Sequence, residues 1–269
     1  MINLKYPILF VHGMGFRDRK RLCYWGRIPK ALEKEGCTVF FGGQDSNGTV
    51  ESNGTFLAER IKEIISEHKI EKLNVIAHSK GGLDMRYAIS KLGMGKYVAS
   101  LTTISTPHHG SYTVDRLMRF PKPLVKFAAL CSDLWQRIGG DKNPDAYSVF
   151  NSFTTVWAEQ FNASAPDDPD VSYSSYAFVM KNCASDLFMT VTNLAVRISE
   201  GENDGLVTPR SAEWTNFKGV YRGASVRGIS HCDEVDMRRM RLTRKKGEGV
   251  SDIVDFYLDI ARDLSERGF

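Results

Sequence analysis

The apolar run Leu73–Ala77 stops at His78-Ser79-Lys80-Gly81-Gly82, and a helical pattern from Leu83 to Leu92 begins at once. A serine at the apex of a strand-to-helix turn sits in strained backbone, so the residues two before and two after it must be small. Ala77 and Gly81 meet that demand, and Gly82 adds room. Behind the hydroxyl, the helix N-terminus offers free N–H groups and partial positive charge where an oxyanion would form. Alone the string is weak: Ala77 replaces the glycine of the strict pattern, and an ordinary strand-to-helix turn reads much the same. Its weight comes from the rest of the chain.

Apolar runs and amphipathic segments alternate through the first half. Ile8–Val11 reads as a strand ending in His12-Gly13, Tyr24 to Glu35 as a helix, Cys37–Phe41 as a strand and Gln44–Gly54 as a loop. Phe56, Leu57, Arg60, Ile61, Ile64 and Ile65 recur at helical spacing, which predicts a helix over 55–68. Leu73–Ala77 and Leu101–Ile104 read as buried strands on either side of the Leu83–Leu92 helix. Strand and helix in this order predict an α/β protein with a mostly parallel central sheet flanked by helices. From Ser111 to Asn193 the rhythm changes to aromatic and proline-rich clusters without strand periodicity. That stretch reads as a mainly helical insertion within a single domain spanning 1–269. Strands are expected again at Ala195–Ile198 and Val220–Val226, and a closing helix at Val254–Leu264.

A chain of 269 residues, 42% hydrophobic and 25% charged, can bury a core without disulfides or a structural metal. The net charge of +4 is mild. Its basic runs, Arg17 to Arg21 and Arg238 to Lys246, read as solvated surface, so no nucleic-acid partner is expected. Cys23, Cys37, Cys131, Cys183 and Cys232 show no CxxC pair and no zinc spacing, and read as thiols in a reducing compartment. No signal peptide and no transmembrane run of about 20 apolar residues are evident, so a soluble, cytoplasmic protein is expected.

A serine nucleophile needs a base and an acid, which in this type of sheet follow it in the order serine, acid, histidine. Of the six histidines, His108 and His109 come too soon after Ser79, and His231 leaves room for an acid between. Asp204 is the favoured acid, in the turn Glu202-Asn203-Asp204-Gly205 after the expected Ala195–Ile198 strand, with Asp186 and Glu202 as alternatives. An Asn-Asp-Gly sequence is also a common Asx turn. Two backbone donors complete the set: Lys80 N–H, next to the nucleophile, and Met14 N–H in His12-Gly13-Met14-Gly15. His12 is then structural.

These segments, together with Thr103 to Ser111 and His231-Cys232-Asp233-Glu234-Val235, resemble the bacterial triacylglycerol lipases of the α/β-hydrolase superfamily. The matches span nearly the whole chain in the family's order. The resemblance implies the α/β-hydrolase fold with Ser111–Asn193 as a lid, and a carboxylic-ester hydrolase with Ser79, Asp204 and His231 as its triad. Its substrate would be an ester or lipid, met at a lipid–water interface, and the chemistry would need no cofactor. The resemblance also implies a structural calcium with Asp233 as one ligand and Asp186 as candidate for a second. The insertion that carries zinc in some members is absent. An acyltransferase, a thioesterase or a short-chain carboxylesterase would use the same triad, and a non-catalytic relative of the fold would be expected to have lost one member of it.

Overall fold

Buried, mostly aliphatic runs form the inner strands because both faces of a parallel sheet are covered. In the computed structural model, which describes residues 1–18, 23–224, 227–244 and 248–269, the strands are β1 (Ile8–Val11), β2 (Val39–Phe41), β3 (Leu73–His78), β4 (Val98–Ile104), β5 (Ser172–Phe178) and β6 (Phe217–Tyr221). Among the described residues they make one sheet in the order β2-β1-β3-β4-β5-β6, with every neighbouring pair parallel.

The helices are α1 (Ile28–Lys34), α2 (Val50–His68), α3 (Lys80–Leu92), α4 (Tyr112–Met118), α5 (Lys122–Ile138), α6 (Ala146–Ser152), α7 (Thr155–Ser164), α8 (Thr190–Glu200), α9 (Pro209–Ala212) and α10 (Ile253–Glu266). One core packs α1 and α10 against a face of the sheet through Phe10, Trp25, Ile76, Phe178 and Tyr257. The opposite core packs α2 and α3 through Leu57, Ile61, Val75, Met85 and Leu101. The first half thus follows the pattern read from the sequence. Helix α2 starts earlier than expected, at Val50, because the Thr49 side chain caps it by accepting from Ser52 N.

Two expectations fail. Ala195–Ile198 is not a strand but part of α8, whose apolar residues Val191, Leu194 and Ile198 repeat at helical spacing. A four-residue segment with only three apolar residues, two of them β-branched, does not distinguish the two forms. Conversely, Ser172–Phe178 is an inner strand inside the span assigned to the insertion. Its serines hide it, although they are accommodated: Ser175 Oγ donates to Trp214 O at 2.9 Å. The helical insertion is therefore two pieces, α4–α7 and α8, on either side of β5. The expected Val220–Val226 strand overlaps β6 (Phe217–Tyr221) only at Val220 and Tyr221, the strand lying earlier in the chain. Ser225 and Val226, along with Arg19, Lys20, Arg21, Lys245 and Lys246 of the basic runs, lie outside the described residues.

Candidate active site

The chain leaves β1 to one side for β2 and returns on the other side for β3, so adjacent strands β1 and β3 form a topological switch point. Loops leaving such neighbouring carboxyl ends diverge and open a crevice. Val11 pairs with Ala77 there, which sets the His12–Gly15 loop beside Ser79.

Ser79 has φ 53° and ψ −130°, a conformation that costs a side-chain-bearing residue on the order of 1–3 kcal/mol. Backbone bonds hold it: Ser79 N donates to Ile104 O at 2.8 Å, and its carbonyl accepts from Thr106 Oγ1 at 2.8 Å. The turn also demands small neighbours. A Cβ on Gly81 would come within 2.6 Å of the Val11 and His12 carbonyl oxygens, and one on Gly13 within 2.8 Å of Ser79 Cβ. Lys80 opens α3, where first-turn N–H groups lack intrahelical acceptors. Its side chain is turned into a buried pair, Nζ to Asp84 Oδ1 at 2.6 Å, leaving the amide as its contribution at the turn. His12 hydrogen-bonds loop backbone, its ring nitrogens 2.8 and 3.1 Å from Gly13 O and Gln44 O.

The other two residues come from loops pinned to the end of β5. Met180 N donates to Asn203 O at 2.9 Å, and Ile229 N to Val179 O at 2.9 Å. Those loops then join, His231 N donating to Asp204 O at 2.8 Å. Side chain follows backbone: His231 Nδ1 lies 2.8 Å from Asp204 Oδ2. The other carboxylate oxygen, Oδ1, accepts from Leu206 N at 2.8 Å and Val207 N at 2.7 Å. The Asx turn and the partner to histidine are thus two oxygens of one residue. Burial alone would raise the Asp204 acid, but the facing His231 ring and the Val207 amide hold it below the usual carboxylate value. Neither alternative acid competes: Glu202 is a surface partner of Arg222 at 2.8 Å, and Asp186 accepts from Ser230 Oγ at 2.6 Å.

Sequence reasoning missed what lies behind this pair. Glu234 is fully buried, its Oε2 3.1 Å from His78 Nε2 and 3.9 Å from His231 Nδ1. Burial, and then the Asp204 carboxylate to which it hydrogen-bonds, push its acid well above the usual range, so it is held neutral. Burial likewise lowers His78 well below an ordinary imidazole. Donors and acceptors then run one way. Gly13 N donates to Tyr24 Oη at 3.2 Å, and the phenol donates to His78 Nδ1 at 2.6 Å. His78 Nε2 donates to Glu234 Oε2, and the Glu234 acid faces the Asp204 carboxylate. The available signal was the spacing of Glu234, three residues after His231.

Ser79 and His231 line one cavity of about 650 Å³, with Met14 at its edge and Val114, Leu117, Phe120, Phe150, Phe153, Met189 and Val196 in its walls. A second cavity of that volume is lined by the charged side chains Lys181, Arg197, Glu202 and Arg222, and among the described residues no serine or histidine lines it. The apolar residues of the insertion divide into three sets. Phe120, Phe150 and Phe153 line the site, while Val125 and Phe161 are buried in packing. Leu124, Phe127, Leu130, Leu134 and Trp135 form a stripe on α5 that is 53–71% exposed to solvent.

The implied calcium ligands are close together but do not suit the ion. Arg238 bridges them, Nη2 at 2.7 Å from Asp186 Oδ2 and Nε at 3.4 Å from Asp233 Oδ1. Among the described residues, His78, His231 and Glu234 have ligand atoms within 4.8 Å of one another, but these are the atoms that bond each other and Asp204.

The sequence profile of the palmitoyl protein thioesterase family matches residues 7–227. Triacylglycerol lipase 2 of Saccharomyces cerevisiae is 34% identical, the alignment covering 91% of this chain and 74% of the yeast protein. The triacylglycerol lipase of Pseudomonas fragi is 27% identical, with 99% and 98% covered. A metagenomic carboxyl esterase of known structure shares the fold at a TM-score of 0.72, with 16% identity over 98% of this chain and 76% of that one.

Proposed function

The chain belongs to the palmitoyl protein thioesterase family and, with its triacylglycerol lipase relatives, to the lipases of the α/β-hydrolase superfamily; it is a carboxylic-ester hydrolase, and we propose that it cleaves medium- to long-chain acyl esters, acylglycerols among them, through an acyl-enzyme on Ser79. One observation carries the reading: Ser79 and His231 share an apolar cavity while a buried Asp204 holds the far nitrogen of the imidazole.

With Nδ1 engaged by Asp204, His231 Nε2 takes the Ser79 proton as Oγ attacks the ester carbonyl. The Met14 and Lys80 amides stabilise the tetrahedral oxyanion. His231 then protonates the leaving alcohol, and water releases the acyl group by the same two steps. The Phe120, Phe150, Phe153 and Val196 wall receives the acyl chain. The exposed α5 stripe and the exposed Leu187, Val191 and Ile198 at α8 suit a lipid–water interface, since monomeric proteins rarely leave contiguous apolar surface of this kind to water. No helix among the described residues is long and apolar enough to cross a membrane. A thioester would fit the same triad; the oxygen ester is preferred because triacylglycerol lipases are the named relatives.

The test is a p-nitrophenyl ester series. Burial of about 0.8 kcal/mol per CH₂ sets a ceiling of about fifteenfold per two carbons. kcat/KM should rise several-fold per step from acetate to octanoate. A maximum at acetate with a steep fall by hexanoate would refute the acyl groove.

A further inference from the structure

The cation expected between Asp186 and Asp233 is already present as a side chain. We infer that Arg238 is the built-in cation of the His231 loop, positioning the histidine where a divalent metal would otherwise be required. This rests on the reading of His231 as the base, but the structural part stands without it.

The two carboxylates come from separate walls of the site. Asp186 begins the segment that runs through Phe188 and Met189, both cavity-lining, into α8. Asp233 follows His231 by two residues. Ser230, just before His231, joins them: its hydroxyl donates to Asp186 Oδ2 at 2.6 Å and accepts from Asp233 N at 3.2 Å. Every carboxylate oxygen has a donor. Phe188 N reaches Asp186 Oδ1 at 3.0 Å and Ser230 N reaches Asp233 Oδ2 at 3.3 Å, while Arg238 takes Asp186 Oδ2 and Asp233 Oδ1. Calcium needs six to eight oxygens. Here the space beside Asp233 is about 20 Å³, room for no more than a water, and it is lined by Arg227, Arg238 and Arg241. The Arg238 guanidinium, 2.7 Å from Asp186 and 3.4 Å from Asp233, repels a divalent cation there, while Arg241 is itself paired with Asp252 and Asp255. The guanidinium thus faces two nearly buried carboxylates and offsets their charge. Removing it leaves two facing anions beneath the residue that precedes His231, a costly arrangement.

The experiment compares wild type, Arg238→Ala and Arg238→Lys by equilibrium dialysis with calcium, by thermal melts and by kcat and KM on a soluble ester. Wild type should bind no calcium and melt at the same temperature with chelator or with about 5 mM CaCl₂. R238A should melt lower and lose about tenfold or more in kcat with little change in KM, because the base is displaced while the acyl groove is kept. R238K should recover part of both losses, and calcium should raise the melt of R238A but not of R238A/D186N. Should R238A not fold, R238K carries the kcat comparison, with a value below wild type expected. Stoichiometric calcium in wild type, a chelator-sensitive melt, or arginine variants with wild-type kcat and melt would overturn the inference. An inactive wild type with these melting results would instead refute the catalytic reading alone.

Discussion

Replacing Glu234 by glutamine isolates the cost of holding a neutral carboxylic acid behind the His231–Asp204 pair. The groups that face Glu234 are His78 from the end of β3, Asp204 and His231 from their loops, Ser105 after β4 and, at its backbone carbonyl, Tyr257 of α10. With its acid raised, the folded state keeps a proton that the unfolded chain releases above about pH 4.3. The sign follows: this contribution is complete at lower pH and declines as pH rises, by about 1.4 kcal/mol per unit while Glu234 stays protonated. Glutamine keeps the shape, the acceptor for His78 and a donor for Asp204, but has nothing to titrate. Between about pH 5.5 and 7.5 the stability of Glu234→Gln relative to wild type should therefore grow with pH, by up to about 3 kcal/mol while Glu234 keeps its proton. For a chain of this size that corresponds to roughly 5–10 °C in Tm. Parallel thermal melts across this range, with kcat/KM within about threefold of wild type as the control for geometry, provide the assay. A Tm difference that does not change with pH would refute a neutral Glu234.

Two further substitutions test the arrangement. Asp204→Asn should lose on the order of 10⁴-fold in kcat, because the amide no longer fixes the imidazole tautomer; Asp186→Asn should cost far less, and the reverse ranking would move the acid. Gly81→Ala forces carbonyl oxygens at 2.6 Å to give way, so it should cost about 1–3 kcal/mol of stability and about 100-fold in kcat/KM through displacement of Ser79; wild-type kinetics would show the turn to be looser than its contacts.

The parts of the site governed by local backbone rules were legible. Gly81 marks the elbow because Val11 and His12 carbonyls crowd it, and the buried runs of β1, β3 and β4 declare a parallel sheet. Asp204 was reached through a wrong premise: the segment before it is helix α8 rather than a strand, and its place is set by bonds from the end of β5. That strand was invisible because burial between two neighbours lets serine and tyrosine stand where an isolated strand would need aliphatic residues. The Tyr24–His78–Glu234 chain joins residues far apart in sequence, and no local period records such a contact. That the apolar face of α5 points outward depends on tertiary placement, which no local pattern records.

The central claim, ester cleavage by the Ser79 hydroxyl, is tested most directly by kcat/KM of Ser79→Ala on p-nitrophenyl octanoate, with the far-ultraviolet circular dichroism spectrum unchanged. Loss of the nucleophile should remove several decades of activity and leave a remainder on the order of 10³-fold over water from the oxyanion hole and binding. A folded Ser79→Ala enzyme that keeps a tenth of wild-type kcat/KM would contradict the account.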